Sequence, residues 1–251
     1  MSGRLAVVGL GPGDARWLTP DADAALAAAD ALFGYGPYLD RAPVRAGQSR
    51  YPSDNRQETL RARAALERAA AGSKVALVCG GDPGVFAMAA AVCEQIESGP
   101  SAWRMLDVEI VPGITAMLAV AARVGAPLGH DFCALSLSDN LKPWPVIEHR
   151  LDAAAQAGFV IALYNPISQA RQWQLAEAFE RLRRYLPPTT PVIFGRAVGR
   201  HDENIAVTTL QSADASRADM ATLVIIGSAE TRLVPRPGHA PLVYTPRSAT
   251  A

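Results

Sequence analysis

The chain has 251 residues, 49% of them apolar and 19% charged, with 24 Lys+Arg balanced by 24 Asp+Glu. Zero formal net charge without a basic block excludes a general nucleic-acid surface, and the apolar run that follows the start, residues 5–8, is too short for a signal peptide, with nothing later approaching a membrane span. Three scattered cysteines, Cys79, Cys93 and Cys133, lack metal-ligand spacing and point to reduced thiols in a cytoplasmic protein with no bound metal.

Leu5-Ala6-Val7-Val8 reads as a buried first strand running into Gly9-Leu10-Gly11-Pro12-Gly13-Asp14. That loop resembles a dinucleotide fingerprint and fails it. Asp14 stands where the third glycine would fall, and Pro12 lacks the amide that a phosphate cradle would use. An acid beside the loop repels phosphate, and no Walker lysine is present. The loop therefore suits a ligand without phosphates, or shapes a cleft. Thr19-Pro20 marks a helix start, and the alanine-rich residues 21–32 continue it. Gly34-Tyr35-Gly36-Pro37-Tyr38 breaks the pattern. Residues 40–53 read as irregular, and a helix is expected from about 56 to 71, stopped by Gly72.

A strand over residues 74–78 leads into Cys79-Gly80-Gly81-Asp82-Pro83-Gly84-Val85-Phe86. Gly80 and Gly81 admit positive φ and close approach. Asp82 is placed to cap a helix over 86–97, with Pro83 in its first turn. Both a capped turn and a ligand loop fit these residues. A strand at 108–111 closes at Pro112-Gly113, and a helix over 114–124 ends at Gly125. Strands alternating with helices predict a parallel sheet covered on both faces.

The second half reads differently. Strands are expected at 133–137 and 159–164, a helix within 143–157, and a long helix capped by Ser168 and running to about 185. Three strand-like runs then follow, at 191–194, 205–210 and 223–226, with little room for helices. That implies antiparallel pairing and a mixed sheet. From Arg236 the chain reads as a tail with at most one short extended piece. The expected fold class is α/β, with two α/β domains: residues 1–112 around a parallel sheet and residues 113–251 around a mixed one.

Four loops share a position after predicted strands: Gly11-Pro12-Gly13-Asp14, Gly80-Gly81-Asp82-Pro83, Pro112-Gly113-Ile114-Thr115-Ala116 and Tyr164-Asn165-Pro166. Ligands of open α/β sheets bind beyond such strand ends. In this order, over nearly the whole chain from Val7 to Gly227, the loops resemble the tetrapyrrole methyltransferase family, which uses S-adenosylmethionine. Gly34-Tyr35 with Tyr38, Ser53-Asp54, Leu135-Ser136-Leu137-Ser138-Asp139, Pro143-Trp144 and Tyr164-Asn165-Pro166-Ile167-Ser168 most resemble the subgroup acting on corrin precursors in cobalamin synthesis; Arg171 and Gly199-Arg200-His201-Asp202-Glu203 fit more loosely. Sirohaem-type members more often carry Tyr-Met where this chain has Tyr164-Asn165.

The resemblance implies methylation of precorrin-3B at C17 with ring contraction to precorrin-4, with S-adenosylhomocysteine as the second product. It implies a cofactor cleft between two domains and a homodimer. The cofactor contacts carried over are Pro12, Gly80, Gly81, Asp82, Val85, Phe86, Thr115, Ala116, Tyr164, Asn165 and Val198. Asp14 is either a loop cap or a proton-moving catalytic group, and His201 either a solvated loop residue or a second catalyst. The substrate is a tetrapyrrole polycarboxylate, for which Arg16, Arg41, Arg45, Arg50, Arg123, Arg196 and Arg200 are either partners or ordinary surface charges. Tyr35, Tyr38 and Trp144 either face the macrocycle or pack internally. The alternatives are methylation at C11 or C20 or in sirohaem synthesis, and a non-catalytic escort of labile tetrapyrroles.

Overall fold

The computed structural model describes residues 3–248. The chain divides into two compact units, Met1–Ala116 and Met117–Ala251, so residues 113–116 belong with the first.

The first unit contains β1 (Arg4–Gly9), α1 (Pro20–Ala28), β2 (Ala31–Tyr35), α2 (Gly36–Leu39), β3 (Ser49–Ser53), α3 (Glu58–Ala70), β4 (Lys74–Cys79), α4 (Met88–Ser98) and β5 (Asp107–Val111). Its strands form a wholly parallel sheet in the order β3-β2-β4-β1-β5. The central strands are apolar on both faces because helices cover both. Leu5, Val7, Val75 and Leu77 meet Ala62, Ala65, Leu66 and Ala69 of α3. The alternate residues Ala6, Val8, Ala76 and Val78 meet Ala22 and Leu26 of α1. As expected, Thr19 caps α1, its hydroxyl accepting from the Ala22 amide at 3.1 Å.

Two strands depart from the sequence reading. The alanine-rich helix stops at Ala28, and residues expected to extend it form β2. Asp30 makes the break: its amide donates to the Lys74 carbonyl at 2.8 Å, and its carboxylate accepts from the Lys74 amide at 3.0 Å. Tertiary pairing overrides helix propensity here. β3 lies in the segment read as irregular; it is an edge strand with no fully buried residue, so it carries no apolar alternation.

The second unit takes in α5 (Ala116–Val124) from Met117 onward, β6 (Gly125–Ala126), β7 (Phe132–Ser136), α6 (Trp144–Gln156), β8 (Val160–Tyr164), α7 (Gln174–Leu182), β9 (Pro191–Arg196), β10 (Asn204–Thr209), β11 (Thr222–Ile226), β12 (Arg232–Arg236) and β13 (His239–Tyr244). Its main sheet runs β10-β9-β11-β8-β7, with β7 and β8 parallel and every other pair antiparallel. This is the mixed sheet expected. β8 and β9 each run antiparallel to β11, so β7, β8 and β9 all point the same way. Their carboxyl ends, at Ser136, Tyr164 and Arg196, share one edge. Leu151, Leu175, Phe179 and Leu182 of α6 and α7 pack on Ile161, Leu163, Phe194 and Val224.

Ser168 does not cap α7, which begins at Gln174; it closes a tight turn with Arg171 through two reciprocal backbone bonds of 2.9 and 3.0 Å. The expected tail is ordered as well: β12 and β13 form a hairpin that adds in parallel to β6. Buried hydroxyls anchor it, Thr245 donating to the Pro127 carbonyl at 2.6 Å and lying 2.9 Å from the Thr231 hydroxyl. No helix among the described residues is long and apolar enough to cross a membrane.

Candidate functional site

In the first unit the loops after β1, β4 and β5 meet backbone to backbone. The Gly11 amide donates to the Gly81 carbonyl at 3.1 Å, and the Gly81 amide returns a bond of 2.9 Å to Gly11. A Cβ on Gly113 would stand 2.2 Å from the Gly81 carbonyl oxygen and 2.9 Å from the Gly9 Cα, so no side chain fits there. Asp82 ties the same loops through its carboxylate: one oxygen accepts from the Gly84 amide at 2.8 Å, the other from the Gly113 amide at 3.0 Å. Asp82 therefore caps a turn and links two strand ends. It does not cap α4, which starts at Met88, and Phe86, with φ of 52°, lies outside helical geometry.

Gly81 needs glycine for its backbone, at φ of 68°, and not for lack of room. The nearest atoms to a Cβ there are the Thr115 Cα at 3.8 Å, the Ile114 carbonyl at 3.9 Å and the Ala116 amide at 4.0 Å. A side chain there would make ordinary van der Waals contact with residues 114–116, so the Gly81 loop lies directly beside the segment leading into α5. Thr115, in that segment, is buried. Gly80 lies against the Tyr38 ring, which would stand 2.9 Å from a Cβ. Val85 is half-buried and Phe86 half-exposed. The structure thus gathers Pro12, Gly80, Gly81, Asp82, Thr115 and Ala116 about one strand edge.

Asp14 sits at the rim of this edge, exposed. It caps the short turn over Ala15–Trp17, accepting from the Arg16 amide at 3.0 Å, and it pairs with the Arg16 guanidinium at 2.9 Å. The hydrogen bonds from Arg16 hold its carboxyl below the usual aspartate range. The Cys79 thiol, buried directly before the glycines, is pushed up to about 12 by desolvation and stays neutral.

In the second unit the site residues fall on the shared edge of β7, β8 and β9. The Tyr164 hydroxyl accepts from the Met117 amide at 3.1 Å, fixing the ring beside the first turn of α5. Asn165 has φ of 51°, and its side-chain amide donates to the Ser136 hydroxyl at 2.9 Å. Arg171 donates to the Asn165 carbonyl at 3.3 Å. Beyond β9, Ala197 has φ of 49°, a conformation costing a non-glycine residue about 1–3 kcal/mol, and Val198 is buried. The Gly199 amide donates to Glu203 at 2.8 Å, and Glu203 takes a two-pronged bond from Arg123 at 2.6 and 3.1 Å. Arg123 lowers the Glu203 carboxyl below its ordinary range. The His201 side chain is 97% exposed.

The arginines are largely committed within the fold. Arg45 pairs with Asp23, Arg196 with Asp202 and Asp219, and Arg50 donates to the carbonyls of Leu39, Ala42 and Pro43. Arg41 donates to the carbonyls of Gly11 and Gly13. Sequence reasoning passed over Met117 and the anchoring roles of Ser136 and Arg41. Ser136 could be found from the Leu135–Asp139 motif; Met117 acts through its backbone amide and leaves no residue-type signal.

Residues 4–214 match the family described as Tetrapyrrole (Corrin/Porphyrin) Methylases. The chain is 67% identical over 247 residues to a protein of Sinorhizobium sp. named precorrin-3B C(17)-methyltransferase, covering 98% of this chain and 97% of that one. The crystal structure of the methyltransferase CobJ superposes with a TM-score of 0.93 at 48% identity, covering 98% of this chain and 100% of that one. The uroporphyrin-III C-methyl transferase of Thermus thermophilus, complexed with S-adenyl homocysteine, gives a TM-score of 0.69 at 25% identity over 90% of this chain and 98% of that one. With two loop-bearing strand edges of this kind and a match spanning most of its length, the chain belongs to the tetrapyrrole (corrin/porphyrin) methylase family.

Proposed function

We propose that the protein methylates precorrin-3B at C17, using S-adenosylmethionine and contracting the ring to give precorrin-4, in cobalamin biosynthesis. The observation that carries this reading is the near-full-length likeness to the Sinorhizobium enzyme. We also propose that it works in the cytoplasm as a homodimer, in keeping with free cysteines and with the family resemblance.

The first unit's strand edge fits a donor of this chemistry. It brings the Gly11, Gly81 and Gly113 loops together at the strand ends, and Pro12 without an N–H and an ionised Asp14 disfavour a phosphate there. Gly80, Gly81, Asp82, Val85, Phe86, Thr115, Ala116 and Pro12 are the candidate donor contacts of this unit, and Tyr164, Asn165 and Val198 are the candidates the family resemblance gives in the second unit. When bound, the donor would supply an electrophilic methyl on a sulfonium to an electron-rich ring carbon, with S-adenosylhomocysteine as the leaving group. The chain's residues orient the partners and exclude water, an effect on the order of 7–11 kcal/mol when alignment is good. Asp14 and His201 are the candidate proton-moving groups. The Arg16 pair makes Asp14 a weak base, so retention of full contraction by Asp14→Asn would assign Asp14 to the loop alone.

The test is anaerobic incubation with precorrin-3B and methyl-labelled S-adenosylmethionine, followed by mass and absorption analysis. One label at C17 with the contracted-ring spectrum is expected. Label without contraction removes the contraction step, label at C11 or C20 moves the reaction to another position, and tetrapyrrole binding without transfer makes the protein an escort.

A further inference from the structure

The structure assigns to Arg41 a positioning role: we propose that it sets the Gly11-Pro12-Gly13 loop for binding the methyl donor, with Tyr38 as its partner, and that it does not bind a substrate carboxylate. The proposal rests on this loop lining the donor site. Arg41 follows α2, and its guanidinium reaches across to the loop after β1. Nη2 donates to the Gly11 carbonyl at 2.7 Å and to the Gly13 carbonyl at 2.7 Å, and Nε donates to Gly13 at 3.1 Å. The two carbonyls flank Pro12. A peptide group is planar, so pinning its oxygen fixes the whole plane. Arg41 thereby orients both the residue 11–12 peptide and the residue 13–14 peptide. Nη2 serves both carbonyls and Nε adds a second hold on Gly13, which fixes the fork's plane; a lysine ammonium could donate to both oxygens but would lack that second, in-plane hold.

Tyr38, three residues earlier, extends the arrangement to the next strand. Its ring lies 5.9 Å from the Arg41 guanidinium carbon and packs against Gly80. One short segment after β2 therefore braces the loop after β1 through Arg41 and the loop after β4 through Tyr38. The bridge between Gly11 and Gly81 already couples those loops. Disturbing Arg41 should reach the donor without touching the tetrapyrrole.

The experiment compares wild type, Arg41→Lys and Arg41→Ala. It measures S-adenosylhomocysteine affinity by calorimetry, KM for each substrate, kcat and melting temperature, with assays run well below melting. For Arg41→Ala the expected result is about a tenfold weaker S-adenosylhomocysteine affinity, a matching rise in the donor KM and an unchanged tetrapyrrole KM. Arg41→Lys should recover part of the loss. A raised tetrapyrrole KM with unchanged donor affinity would return Arg41 to substrate binding and overturn the proposal. A lowered melting temperature with both KM values unchanged would overturn it in favour of a purely structural bond. Failure of wild type to bind S-adenosylhomocysteine would instead count against the donor site as a whole.

Discussion

The two strand edges hold their loops by different means. In the first unit, Gly9, Gly11, Gly81 and Gly113 bring main chain against main chain, and a single carboxylate and a single guanidinium finish the job. In the second, side chains do most of the holding: Asn165 to Ser136, Arg171 to Asn165, and Glu203 to Arg123 and Gly199. Backbone contact leaves no slack, because one carbon added at Gly9, Gly11 or Gly113 collides with peptide atoms that cannot move aside. A side-chain bond can be deleted, and the surrounding loop relaxes into solvent. The first edge should therefore break abruptly and the second by degrees.

Gly113→Ala is the sharpest way to break that contrast and carries the largest expected effect. Its Cβ would meet a carbonyl oxygen at 2.2 Å, so a loss of about 3 kcal/mol or more is expected, visible as a large fall in melting temperature and no S-adenosylhomocysteine binding. Near-wild-type melting would show that the three loops are not locked. Asp82→Ala comes next. It strips the acceptor from the amides of Gly84 and Gly113, at a cost of about 2 kcal/mol. Calorimetry should show weakened S-adenosylhomocysteine binding, and unchanged affinity would remove Asp82 from the donor site.

These two residues also show what the sequence could and could not disclose. The central strands were legible because continuous burial leaves continuous apolar runs such as Leu5 to Val8. β2 was not, because Ala31-Leu32 continues an alanine-rich helical pattern and only pairing to β3 and β4 identifies it. β12 is wholly exposed, so no alternation betrays it. At the site, the glycines announced a loop of close approach. Asp82-Pro83 reads as the cap of the following helix or as part of a ligand loop, and the partner that shows its linking role, the Gly113 amide, lies 31 residues away. Arg41 looked like any surface arginine, since its acceptors are main-chain carbonyls that carry no residue identity.

On the second edge the effects should be smaller and graded. Asn165→Ala loses the bond to Ser136 and places a less tolerant residue at positive φ, together costing about 1–2 kcal/mol. Asn165→Gly keeps the backbone and loses only the side-chain bond, about 1 kcal/mol. Methyl transfer should therefore fall further in Asn165→Ala than in Asn165→Gly. Equal losses would mean that the side-chain bond, and not the backbone conformation, sets the position of Tyr164-Asn165.

The Arg123–Glu203 pair should give the smallest effect and the clearest sign. Arg123 holds the Glu203 carboxyl below its ordinary range in the folded protein. A depressed folded value means the stabilisation is present above the unfolded glutamate value of about 4.3 and is lost as pH falls through the lower folded value. Both side chains keep contact with solvent, so the pair contributes about 0.5 kcal/mol. Arg123→Ala should melt slightly below wild type at pH 7, and the gap should close in acid. A gap that persists once Glu203 is protonated in the folded protein, followed by its side-chain carboxyl NMR shift, would mean that Arg123 acts through packing of its aliphatic stem. The Gly199 loop would then be held by the Glu203 hydrogen bond to its amide without help from the ion pair, and the second edge would resemble the first more closely than its side-chain bonds suggest.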